Sequence, residues 1–186
     1  NQERNVMFNH VKEIADFAQD KTAPDGSRRY FTDSGAAYPS VTTVLNVLSR
    51  DSIQKWKDRV GEEVANRVSR QASTRGTKIH LLCEDILNNK DIDMANMSLL
   101  DKEMFMNFRP LLDRIDNIHG QEIALYSDHL RLAGRVDCIA EYEGKLSIID
   151  FKTSAKPKRK DWIGSYFAQA AAYAVMYEER TGIPID

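Results

Sequence analysis

Gly134-Arg135-Val136-Asp137-Cys138-Ile139-Ala140-Glu141-Tyr142-Glu143-Gly144-Lys145-Leu146-Ser147-Ile148-Ile149-Asp150-Phe151-Lys152 decides the reading of this chain. Apolar and β-branched residues lie on both sides of Glu143-Gly144, the pattern of two antiparallel strands joined by a two-residue turn. Such a turn fixes the register. If Tyr142 faces Lys145, the pairing carries Asp137 to a place opposite Asp150, where Cβ atoms of cross-strand neighbours lie roughly 4.5–5.5 Å apart. Side chains alternate along a strand, so Lys152 shares its face with Asp150. Val136, Cys138, Ile149 and Phe151 are left to the other face as core.

Two like charges facing each other weaken a sheet. A cation between them removes the conflict. Two carboxylates with open positions suit magnesium or manganese, and a neighbouring ammonium can steer water or offset charge developing on phosphorus. By itself, Asp-x-Lys is as compatible with a solvated salt bridge at a hairpin end. The opposed Asp137 gives it the chemistry of a metal-dependent phosphodiesterase.

Working outward, Ile79, Leu82, Cys83, Ile86 and Leu87 follow helical spacing and predict an amphipathic helix over 76–89. His80 sits at the border of its apolar stripe, where it can complete a metal shell, and Glu84 at i+4 is a candidate to orient its ring. A strand is expected over Glu122–Leu130, with Glu122 as a further candidate carboxylate ligand. A helix over Asp161–Arg180 carries Gln169 and Tyr173 as i, i+4 neighbours. Lys156, Lys158 and Arg159 form a short basic loop before it, and with Arg75 they are candidate phosphate contacts. Arg28, Arg29, Arg67, Arg70 and Lys78 extend the basic path, and Tyr30, Phe31 and Tyr38 offer flat faces for bases.

Elsewhere the pattern predicts helices over 6–19, 41–49, 52–72 and 99–118, with a short strand over 28–32. Ile53, Trp56, Val60, Val64 and Val68 read as a buried stripe. Met104, Phe105, Phe108, Leu111, Leu112 and Ile115 read as another. The 186 residues suit one compact domain with an added helical cap. Twenty-six Lys and Arg against 28 acids give a formal net charge of −2, so a nucleic-acid partner would need a local basic path rather than a global field. Cys83 and Cys138 fall on apolar faces and read as reduced core thiols, favouring a reducing compartment. No apolar run approaches the roughly 18 residues of a membrane span, so no membrane partner is expected.

Pro39-Ser40-Val41-Thr42, Val44-Leu45, Trp56, Gly76 with His80, Glu122, the run from Asp137 to Lys158, and Gln169 with Tyr173 together resemble the PD-(D/E)xK nuclease superfamily in its RecB-like branch, which includes phage exonucleases. The resemblance implies an α/β (α+β) fold: a restriction-endonuclease-like core with a mixed central sheet flanked by helices and an N-terminal helical cap. Residues 1–118 would form the helical region or arch and contribute His80. Residues 119–186 would form the core hairpin and helix of the same structural unit.

It further implies that His80, Asp137, Asp150 and the carbonyl of Phe151 hold Mg2+ or Mn2+. Lys152 would act with Asp137 and Asp150 in catalysis, while Gln169 and Tyr173 secure the site or the strand. The implied substrate is single-stranded DNA, cut from ends or flaps in replication, repair or recombination, with proteins of those processes as further partners. The implied setting is the cytoplasm of a phage or bacterial host cell, with the mitochondrion as the alternative. Such folds continue past the Gln/Tyr helix with another strand. This sequence reads Gly182-Ile183-Pro184-Ile185-Asp186 there and begins with Asn1, so a chain partial at both ends and lacking the C-terminal strand is expected. A binding module that keeps the fold without cutting, and an endonuclease subunit, are the competing readings.

Overall fold

A computed structural model describes residues 7–11, 14–154 and 163–186. Three short strands open the fold, β1 (Ala18–Thr22), β2 (Arg28–Thr32) and β3 (Ala37–Tyr38), followed by helices α1 (Val41–Val60), α2 (Glu62–Leu87) and α3 (Leu99–Leu112). The long strands β4 (Ile115–Ser127) and β5 (Leu132–Tyr142) then pair with β6 (Lys145–Ile149), and α4 (Gly164–Thr181) follows. Each set of three strands forms an antiparallel sheet in the order β1-β2-β3 or β4-β5-β6. Parallel bridges from His10 to Ile118 and from Ser40 to Ala133 give the whole its mixed character.

The hairpin has the expected register, with Tyr142 opposite Lys145 and Cys138 opposite Ile149. Glu143 and Gly144 both have positive φ, 52° and 80°, as a type I′ turn requires. Two apolar clusters grip the sheet. Ile79, Cys83, Ile86 and Leu87 of α2 pack with Leu112, Ile115, Ile118, Cys138, Ala140 and Phe151. Tyr173, Met176 and Tyr177 of α4 pack with Ile123, Leu125, Val136 and Ile139. Val136 is therefore core, as expected, but its partners differ from those of Cys138 and Phe151.

Several elements differ from the sequence reading. Residues 7–11 and 14–17 are not helical: Val11 N–H donates to Ile118 O, and Phe17 N–H donates to Ala124 O, each at 2.9 Å. The segment covers the outer edge of β4, which competes for these backbone groups better than a helix of mixed charge does. One helix runs through 49–52 and the break falls instead at Gly61, whose φ of 83° suits glycine. No break occurs near Gly76, which sits inside α2.

Residues 115–118 belong to β4, so an element crosses the 118/119 division. The stripe through Ile53, Val64 and Val68 is exposed, at 45%, 36% and 42%. α1 packs on the sheet through Val41 at its start, while across residues 62–78, beyond the Gly61 bend, Ala65 is the buried residue. Leu111 is likewise exposed.

Candidate active site

Asp137 lies near the middle of β5, flanked on both sides by acids from neighbouring strands. The pairs Gln121–Cys138 and Ile123–Val136 set Glu122 of β4 opposite it. On the other side, Asp150 follows the last pair of β6 and continues the register that sets it opposite Asp137. α2 brings His80 over the same point. Ligand atoms of His80, Glu122 and Asp137 all lie within 4.8 Å of one another. Asp150 and Lys152 line the same cavity of about 270 Å³ with these three, together with Gln169 and Tyr173.

The tightest ligand-capable group thus contains Glu122, while the Asp150 carboxylate is engaged 2.7 Å from Lys152 Nζ. His80 Nε2 lies 2.6 Å from the carbonyl oxygen of Phe151, so that nitrogen carries hydrogen and donates. In the neutral ring the Nδ1 lone pair then faces Asp137 Oδ1 at 3.5 Å. A lone pair aimed at a carboxylate repels it unless a positive charge lies between. The other Asp137 oxygen accepts from Phe151 N–H at 2.7 Å. Nε2 is thereby committed to Phe151, and the expected pairing of His80 with Glu84 is not formed. The Phe151 carbonyl stands beside the cluster as a hydrogen-bond acceptor.

Burial, reinforced by the nearby Asp150, holds the Asp137 carboxyl above the usual carboxylate range, against the lowering pull of the Phe151 N–H. Burial and then Asp137 push Glu122 upward as well. A bound cation would offset both shifts by favouring the ionised carboxylates. One nitrogen and several carboxylate oxygens form a donor set that fits a hard or borderline divalent cation. Burial pushes the thiols of Cys83 and Cys138 up to about 12, and both are buried core residues, as expected.

Glu122 is held in an unusual backbone, with φ of 50° inside a strand. The Arg135 guanidinium donates to its carbonyl oxygen and is itself braced by both carboxylate oxygens of Asp16, at 3.2 and 3.1 Å. Asp16 also accepts from Ala124 N–H at 2.8 Å. Sequence reading missed Arg135 and Asp16. The adjacency of Arg135 to Val136-Asp137 was the available signal.

Gln169 Nε2 donates to the Tyr173 hydroxyl at 3.3 Å, and both side chains are buried. Tyr173 lies against Gly134, where an added Cβ would stand 2.8 Å from the ring and from the hydroxyl oxygen. Gly134→Ala should therefore cost about 1–3 kcal/mol, or roughly 2–4 °C of melting temperature per kcal/mol. Thermal denaturation monitored by circular dichroism would measure it; an unchanged melting temperature would show that Tyr173 moves aside freely.

Arg28 and Tyr30 also line the site cavity, whereas the other described candidates fall outside it. Arg75 has a buried Nε without a hydrogen-bond partner and does not line the cavity. Arg28 is paired with Asp20. Tyr30 is 3% exposed, which removes it as a base-stacking face, and Tyr38 stacks on Tyr126 while donating to Asp128. Lys156, Lys158 and Arg159, with Trp162, lie outside the described residues. Among the described residues, no helix is long and apolar enough to cross a membrane.

Residues 101–184 match the family model of the PD-(D/E)XK nuclease superfamily. The match takes in Glu122, Asp137, Asp150, Lys152, Gln169 and Tyr173; His80 lies before it. Among curated proteins the chain is similar to mitochondrial genome maintenance exonuclease 1 of Homo sapiens, 30% identical over 129 residues, which is 64% of this chain and 38% of that protein. The Mus musculus protein of the same name is 29% identical over 128 residues, again 64% and 38%. The Xenopus tropicalis one is 30% identical over 128 residues, 64% of this chain and 37% of its own. The chain thus spans less than two-fifths of the length of these relatives.

Proposed function

We propose that this chain is a Mg2+- or Mn2+-dependent deoxyribonuclease that hydrolyses phosphodiester bonds in single-stranded DNA, at ends or flaps, in replication, repair or recombination. The observation that carries the reading is the convergence of His80, Glu122 and Asp137 within 4.8 Å beside Lys152. His80, Glu122 and Asp137 would hold the cation, with Asp150 lining the same cavity and the Phe151 carbonyl as the further ligand that the resemblance implies. When bound, the cation supplies positive charge to phosphoryl oxygens and acidity to water.

The protein's own groups do the rest. Asp150 holds the Lys152 ammonium at 2.7 Å, aimed by the strand end into the cavity. From there Lys152 orients a water and donates to the phosphoryl oxygens as charge accumulates on them. Gln169 and Tyr173 wall the cavity and keep the strand from shifting past Lys152. In this reading the helical segment that supplies His80 and the hairpin that supplies the acids act as one unit. The reading carries a cytoplasmic setting in a phage or bacterial host cell. The name of the relatives supports the mitochondrial alternative.

Linear and circular single strands test the reading together. With magnesium, end-labelled linear DNA should be digested, circular DNA should survive, and a chelator should stop both. Persistence of the linear strand would contradict the nuclease reading; equal loss of the circle would contradict end dependence.

A further inference from the structure

Glu122 occupies a backbone conformation that ordinarily suits glycine or asparagine, with its φ of 50° inside β4. Its carboxylate also meets the charges of Asp137 and Glu84, which repel it. Strain and repulsion both urge Glu122 away from the cluster, so other contacts must hold it there. They come from two distant parts of the chain. Arg135 of β5 lines the site cavity, and its Nη1 donates to the Glu122 carbonyl oxygen. The same guanidinium donates to both carboxylate oxygens of Asp16, at 3.2 and 3.1 Å. Asp16 Oδ1 in turn accepts from Ala124 N–H at 2.8 Å, and Phe17 N–H donates to Ala124 O at 2.9 Å. Backbone groups of residues 122 and 124 are thus clamped on either side of Ile123. A planar fork that joins a carboxylate to a carbonyl fixes direction as well as distance.

We propose that Arg135 and Asp16 are positioning residues that hold the Glu122 carboxylate in the cation-binding cluster, which makes residues 14–17 part of the candidate active site. The inference rests on the nuclease reading, in which Glu122 is a ligand, and adds what keeps that ligand in place. The sign of the effect separates positioning from charge. Arg135 is a positive charge beside a cation site, so by charge alone its removal would tighten cation binding. By positioning, its removal lets Glu122 relax out of the cluster, and binding weakens. A staple that merely fastened residues 14–17 to β4 would act on stability, with no dependence on the Glu122 side chain.

Manganese titration of the full chain, read from the electron paramagnetic resonance of the free ion, tests the assignment without DNA or turnover. Arg135→Gln should weaken manganese binding about 10–100-fold, the range for an outer partner of a metal ligand. In a protein that already carries Glu122→Gln, the same change should alter binding less than about twofold, because the two positions act as one unit. Equal weakening in both backgrounds would assign Arg135 to general support of the fold and overturn the proposal. So would unchanged or tighter binding in Arg135→Gln, or binding that Glu122→Gln leaves as it was. In each of these cases the parent still binds manganese and the nuclease reading stands. A parent that binds no manganese defeats that reading, and the proposal with it. Should Arg135→Gln fail to fold by circular dichroism, Asp16→Asn decides, since that side chain is 45% exposed and the amide oxygen still accepts from Ala124 N–H. It should weaken binding in the parent and leave the Glu122→Gln protein unchanged; no loss in the parent, or the same loss in both, overturns the proposal.

Discussion

Asp137→Asn is expected to abolish cleavage and to weaken divalent-cation binding by at least about 100-fold, more than is lost when a ligand's supporting partner is removed. The amide oxygen still accepts from Phe151 N–H, so the hairpin end keeps its geometry. What disappears is the charge at the centre of three neighbouring acids. The same substitution should raise the melting temperature of the metal-free protein by about 0.4–4 °C, because a like-charge cross-strand neighbour costs roughly 0.2–1 kcal/mol.

The pH dependence has a definite sign. Asp137 and Glu122 have folded-state pKa values above their ordinary ones, so the folded protein holds protons that the unfolded chain has released. Stability of the metal-free protein therefore falls as pH rises from the ordinary carboxylate range through the raised values, and the loss persists above them. Saturating manganese should restore stability at neutral pH and do little at low pH, where protons compete with it. Isothermal calorimetry and melting curves across pH would measure both effects. A metal-free Asp137→Asn protein less stable than the parent at neutral pH would show that Asp137 supports the fold by contacts outweighing its repulsions.

Lys152→Ala should lower the cleavage rate by about 10²–10⁴-fold, the range for removing one positioned proton donor. Cation binding should survive, since Lys152 contributes no ligand and its removal leaves Asp150 more negative. The separation of the two readouts distinguishes Lys152 from the acids. Lys152→Arg should not restore the rate, because a planar fork does not reproduce a compact ammonium 2.7 Å from Asp150. Single-turnover cleavage beside manganese titration would check this. Full activity in Lys152→Ala would remove the lysine from the chemistry.

The most legible parts of the chain were those governed by local geometry. Glu143-Gly144 admits one tight turn, and that turn sets Asp137 and Asp150 opposite each other. The spacing from Ile79 to Leu87 told which way His80 faces, because five apolar residues leave one stripe to bury. Legibility ended where a neighbour decides the outcome. Residues 6–19 have an amphipathic pattern, yet the described part of that segment lies along β4 because an exposed strand edge competes for its backbone.

The spacing of Val64 and Val68 predicts core, but beyond the bend at Gly61 both are exposed. Glu122 was visible only as one candidate acid. Its place opposite Asp137 depends on the register shift between Asp116 and Gly120 and on a positive φ held by Arg135, neither of which composition announces.

The most direct test of the account is anomalous diffraction from crystals soaked in manganese. A single strong peak within bonding distance of His80 Nδ1 and of carboxylate oxygens of Glu122 and Asp137 is the predicted result. Well-ordered side chains with no peak there, or a peak at another cluster of acids, would contradict it.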